Sequence, residues 1–216
     1  MSKGSMAEKE KKRQLTEAEQ KRLDKFERIS SELVEKGYRK SDLQISIVWA
    51  NVVVILMTIP VMAVGIILMN IFHPDISFKQ NLSGTLFVMI GFLVLIEVHE
   101  LIHGFSWSFF SENGLKDIEF GFMKQYLTPY CTCSTPLKKS GYICGALMPL
   151  LVLGLIPTVI AVVIGSVSLL YVGLLMILSA GGDILIVIKL LRYKSQAKEL
   201  LIYDHPTQAG SVVFEK

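Results

Sequence analysis

The chain has 216 residues, 51% of them hydrophobic, and its 22 Lys+Arg against 19 Asp+Glu leave a net charge of +3. With a mean hydropathy of +0.49, this composition excludes an ordinary soluble domain, in which apolar usage is about 45–50% and charge is evenly spread. It also excludes a nucleic-acid binder, because the basic residues sit beside apolar runs, an arrangement suited to the anionic surface of a lipid bilayer.

Twelve of the 22 Lys+Arg lie in the first 45 residues. Within this N-terminal segment, residues 1–44, Thr16 and Glu19 form a capping-box pattern. Leu23, Phe26, Ser30, Leu33 and Val34 then recur at helical spacing until Gly37. The spacing predicts a cytoplasmic amphipathic helix. Its apolar stripe could cover a site or meet another protein, but the simplest reading lays it on the membrane surface.

From Ile45 to Phe72 there is no Asp, Glu, Lys or Arg. About 20 such residues, rising about 1.5 Å each, cross about 30 Å of hydrocarbon, so this run makes a first span. A second runs from about Ser83 to Phe110, interrupted by Glu97, His99, Glu100 and His103. The third, Gly141 to Gly182, is uncharged and at helical rise would be about 60 Å long, so it must fold back. Gly165, Ser166 and Ser168 mark the hairpin, giving spans of about 142 to 164 and 168 to 191. The expected fold is therefore an all-α membrane protein: four transmembrane helices in a core of residues 45–192, followed by a cytoplasmic tail, 193–216.

Between spans two and three, "LKDIEFGFMKQY" alternates Ile118, Phe120 and Phe122 with Glu119, Gly121 and Met123, the period of a small strand. Such a strand could add an extended peptide at its edge or merely cap the helices. Lys116, Lys124, Lys138 and Lys139 in this loop, with Arg192, Lys194, Lys198 and Lys216 in the tail, fall on the side of the N-terminal segment. Lys79 alone falls opposite, so both termini are expected in the cytoplasm. No cleavable signal pattern precedes the first span. Cys131, Cys133 and Cys144 then lie on or near the reducing side, where no disulfide is expected.

The costly feature is "EVHELIHGF", residues 97–105. A charged side chain at bilayer depth costs about 3 kcal/mol on insertion scales, so an ionisable group there carries a functional hypothesis. His99 and His103 are four apart, about 40° from one another on a single helix face, and Glu100 stands about 100° from His99. This is the H-E-x-x-H arrangement, in which two imidazoles hold Zn²⁺ and the carboxylate stands beside the metal as general base. A catalytic zinc takes three protein ligands. Asp183, the other acid inside a span, supplies the third: counted from the outer ends of their helices, His99 lies about 24 Å deep and Asp183 about 22 Å. Gly181 and Gly182 are expected to let these two helices approach. The pattern leaves Glu97, His73 and His205 without a metal role. Cys131 and Cys133, one residue apart, point to opposite faces of an extended chain and do not chelate together.

These pieces carry a resemblance. "KGYRKSDLQISIVWAN", "HELIHG", "YCTCSTPL", "GALMPLLVLGLIP", "AGGDILIV" and "YDHP" together resemble the family described as putative zincin peptidases, small membrane proteins that are similar to the site-2 class of intramembrane metalloproteases. The likeness covers nearly the whole chain from Leu33 onward. It implies zinc ligation by His99, His103 and Asp183 and a catalytic role for Glu100, acting on a membrane-protein or peptide substrate in a bacterial cytoplasmic membrane. "GGD" stands where site-2 proteases usually have Leu-Asp-Gly, no Asn-Pro pair precedes it, and no PDZ-like domain is present. The alternative is a catalytically silent zinc-binding scaffold or regulator of a transmembrane partner. A metal transporter is disfavoured, since no polar path crosses the outer half.

Overall fold

The computed structural model describes residues 16–123 and 128–216. Residues 1–15 of the N-terminal segment and Lys124 of the connecting loop lie outside the described residues.

Long apolar helices dominate. Helix α1 (Glu17–Glu35) opens the described chain; α2 (Ile47–Phe72) and α3 (Leu82–Ser108) follow, separated by strand β1 (Arg39–Gln44) and by a short loop. Val48–Phe72, Leu82–Ser108 and Lys139–Ile164 are each long and apolar enough to cross a membrane. Their outer faces expose Trp49, Ile55, Leu56, Phe87, Leu93, Val159 and Val163. Contiguous apolar surface on this scale fits contact with lipid.

The third of these helices is composite: α4 (Lys139–Pro149), a π-helical segment (Leu150–Leu155) and α5 (Ile156–Ile164) run on without a break. Pro149 and Pro157 lack the N–H that an α-helical ladder needs, and a π-type bulge absorbs the mismatch. Gly165 ends the helix at φ +70°, a left-handed conformation that glycine adopts without penalty, and the chain turns back there as the sequence predicts.

The fourth apolar run departs from the expected straight span. It forms α6 (Val167–Ser179) and α7 (Gly181–Arg192), bent by 43° at Ala180. Counting the bent pair as one crossing gives up to four candidate spans among the described residues. Gly181 and Gly182 are poor helix formers, and their place at the bend is consistent with that weakness.

All-α is too narrow a description. Strands β2 (Ile118–Met123) and β3 (Thr128–Cys133) pair antiparallel, giving the strand expected between spans two and three a partner. A second antiparallel sheet, in the order β1, β6 (Gly210–Glu215), β5 (Leu200–Asp204), β4 (Leu137–Lys138), joins the segment before the first span to the tail. Strand β6 is buried along its length because the sheet is covered twice. Val212 and Phe214 pack with Phe26 and Leu33 of α1, while Val213 of β6 and Ile202 of β5 pack with Leu137 of β4, Tyr142 of α4 and Leu190 of α7. The apolar stripe of α1 therefore meets this sheet, not a membrane surface. At its start Thr16 and Glu19 form the full capping box.

Candidate metal centre

Helix α3 carries His99 and His103 one turn apart, and both rings are buried. Their Nε2 atoms lie 3.1 Å from each other. Asp183, in the first turn of α7 just past the bend at Ala180, brings Oδ2 to 3.2 Å from His99 Nε2 and 3.4 Å from His103 Nε2. The three donor atoms lie within 4.8 Å of one another. The side chain of Asp183 is 24% exposed against 6% and 4% for the histidines, so the cluster opens to its surroundings on the carboxylate side.

The glycines beside Asp183 act differently from expectation. A Cβ on Gly181 would fall 2.1 Å from Val54 Cγ1, so Gly181 admits α2, not α3, and a Cβ on Gly182 would meet nothing within 4 Å. Close approach to α3 comes instead from Gly145 of α4, where a Cβ would lie 2.1 Å from Trp107 Cδ1.

That approach fixes His103. Its Nδ1 lies 3.0 Å from the Gly145 carbonyl oxygen and, facing an acceptor, must donate, which leaves the Nε2 lone pair free to point at Asp183 and His99. One turn on, Trp107 stacks on the His103 ring at 5.0 Å and on Tyr142 at 5.4 Å, while its Nε1 donates to the Tyr142 carbonyl at 3.0 Å. The Tyr142 hydroxyl donates to Asp204 at 2.6 Å, and Thr132 donates to the other oxygen of Asp204 at 2.9 Å. Burial pushes the Asp204 carboxyl upward, and the hydrogen bonds from Tyr142, Thr132 and the Cys133 backbone only partly offset it. Sequence reasoning missed Trp107, Tyr142, Gly145 and Asp204 as supports of the site. Trp107 stands four residues after His103 and could have been found by helical spacing; Asp204 had no signal beyond "YDHP".

Glu100 is half-buried on α3 beside the pair. Burial first, and then the charge of Glu100, pushes the Cys131 thiol well up, so it stays protonated and is a poor ligand. All three cysteines are free. Glu97 is exposed on the outer side of α3. His73 bonds the Val162 carbonyl and His205 organises the turn after β5, both away from the cluster.

The donor set fits a zinc ion. Ligand atoms about 2.0–2.1 Å from a tetrahedral zinc sit about 3.3 Å apart, and the three separations here are 3.1, 3.2 and 3.4 Å. Two facing imidazole nitrogens and a carboxylate oxygen at these distances present converging lone pairs. Among the described residues His99 Nδ1 is buried with no hydrogen-bond partner, and it is Nε2 that faces Asp183 and His103.

Fold and site together describe a mostly helical protein with three or four candidate membrane spans among the described residues and a His-His-Asp cluster next to a carboxylate. Residues 92–198 match the family described as "Putative zincin peptidase". The matched stretch takes in His99, Glu100, His103 and Asp183, and it supports a zinc metallopeptidase. No curated protein and no solved structure matches the chain.

Proposed function

We propose that the chain is an intramembrane zinc metalloprotease, similar in its chemistry to the site-2 class, that hydrolyses a peptide bond of a membrane-protein substrate near the cytoplasmic face. The observation that carries this reading is the convergence of His99, His103 and Asp183 donor atoms, from two apolar helices, within 4.8 Å. Zinc held by these three would polarise a scissile carbonyl and acidify a water. His99 and His103 would hold the ion through Nε2 as neutral imidazoles, and Asp183 would supply the balancing charge. Glu100 takes a proton from the attacking water onto its carboxylate and returns it to the leaving amine nitrogen. The partly exposed side of the cluster, at Asp183, is where an unwound substrate would enter.

The test is Glu100→Gln in the full chain, with a co-expressed single-span substrate. Gln preserves size and one acceptor but cannot take the proton, so zinc content should be unchanged and cleavage should fall by about 10²- to 10⁴-fold. Equal cleavage by both proteins, or equal biological activity with no cleavage by either, would remove the catalytic reading and leave a zinc-binding scaffold.

A further inference from the structure

The carbonyl that holds His103 belongs to a helix, where it would ordinarily be occupied. In an α-helix the oxygen of residue i accepts from the N–H of residue i+4, and for Gly145 that residue is Pro149. Proline has no N–H. The next donor along, the N–H of Leu150, goes to the Leu147 carbonyl instead. The Gly145 oxygen thus reaches the helix surface without its ladder partner, facing α3, and His103 Nδ1 meets it at 3.0 Å in a buried setting. The absent side chain at Gly145 is what lets α3 come close enough, since Trp107 occupies the space a Cβ would need. One short stretch, "GALMP", supplies both the gap and the unclaimed acceptor.

We infer that Pro149 is a positioning residue of the metal site: by withholding its N–H it reserves the Gly145 carbonyl for His103 Nδ1, and so fixes the tautomer in which His103 Nε2 is the ligand atom. The inference rests on the metal reading of the cluster but adds a residue that touches neither metal nor substrate. The cost of the device is a proline inside a span, absorbed by the π-helical segment that begins at Leu150. A buried carbonyl already bonded to a helix N–H would make a weaker and poorly aligned partner for an imidazole, because its favoured lone-pair direction would be taken. Among the described residues His99 has no such partner at Nδ1, so His103 is the ring of the pair that a backbone acceptor orients.

The experiment compares Pro149→Ala with a chain in which residue 149 is lactic acid, introduced by nonsense suppression. Both carry the alanine methyl group, but the second has an ester oxygen where the first has N–H. Two readouts apply to the full-length protein in detergent: zinc affinity by competition with a chromophoric chelator, and the nitrogen chemical shifts of labelled histidine in metal-free protein. Pro149→Ala should weaken zinc binding by about 10- to 100-fold, the usual effect of losing a hydrogen bond to a ligating histidine. It should do so with an unchanged or raised thermal midpoint, since a helix breaker has been removed. The lactate chain should recover most of the affinity, and the protonated Nδ1 signal of His103 should persist in it but weaken in Pro149→Ala. A purely structural proline predicts the reverse, a lowered midpoint with affinity intact. That result, or equal affinity in the alanine and lactate chains, overturns the inference. If the wild type binds no zinc, the metal reading fails by itself, and the histidine signal still decides whether Pro149 controls the tautomer.

Discussion

Gly145→Ala puts one methyl group where the structure has no room for it. The added Cβ would lie 2.1 Å from Trp107 Cδ1, 2.3 Å from Nε1 and 2.8 Å from Cγ. Carbon atoms rest about 3.5–4.0 Å apart, so the indole or the helix must yield by about 1.5 Å. The indole cannot swing away cheaply, being stacked on both sides and bonded to the Tyr142 carbonyl. Moving α4 outward by that amount stretches the 3.0 Å contact between His103 Nδ1 and Gly145 O past any hydrogen bond. Overpacking of this kind costs about 1–3 kcal/mol, and loss of the histidine's partner lowers metal affinity by about 10- to 100-fold. Thermal unfolding in detergent and zinc competition titration measure the two effects. Gly182→Ala is the matched control, since nothing lies within 4 Å of its Cβ; it should be neutral or stabilising by up to about 1 kcal/mol. Wild-type midpoint and zinc affinity in Gly145→Ala would refute the packing argument, and a loss in Gly182→Ala equal to that in Gly145→Ala would refute its specificity.

Stripping metal with a chelator should lower the thermal midpoint and re-adding zinc should restore it, because at 100 times the dissociation constant a ligand adds about 2.7 kcal/mol. His99→Ala, His103→Ala and Asp183→Ala should each abolish that difference, and full zinc occupancy in the Asp183 variant would remove it from the ligand set. Asp117 gives a pH prediction: burial pushes its carboxyl up, but the Asn113 backbone and side chain and the Thr135 hydroxyl more than offset this and hold it below the usual range. A depressed folded value means that its stabilisation is present above the ordinary carboxylate range and lost as pH falls through the depressed value. The midpoint gap between wild type and Asp117→Asn should therefore close on acidification, and a gap that widens would contradict the sign. Tags at the two termini should be protected from external reagents and one inserted near Asn81 accessible; the opposite labelling would overturn the cytoplasmic orientation.

Much of the architecture is written in local patterns. Uncharged runs of 26 or so residues can do little but form helices long enough to cross hydrocarbon, because their backbone groups must be satisfied within the segment. The hairpin at Gly165, the capping box at Thr16 and the facing pair His99 and His103 follow from rules that act over four residues or fewer. Asp183 was reached from depth along two helices running the same way, a length argument that needs no packing detail. The tail was harder. "LLIYD" and "GSVVFE" are short, β-branched and aromatic, but a strand becomes stable only with a partner, and β6 finds one in β1, more than 160 residues away. The same holds for α1, whose stripe is compatible with lipid and with a sheet alike. Tertiary structure decided that Phe26 meets Phe214, that the fourth run bends at Ala180, that Gly181 admits α2, and that Gly145, Trp107, Tyr142 and Asp204 stand behind the site. Each of these depends on which surfaces come into contact, and contact between distant segments is set by shape and burial across the whole molecule, not by the spacing of residues within any one segment.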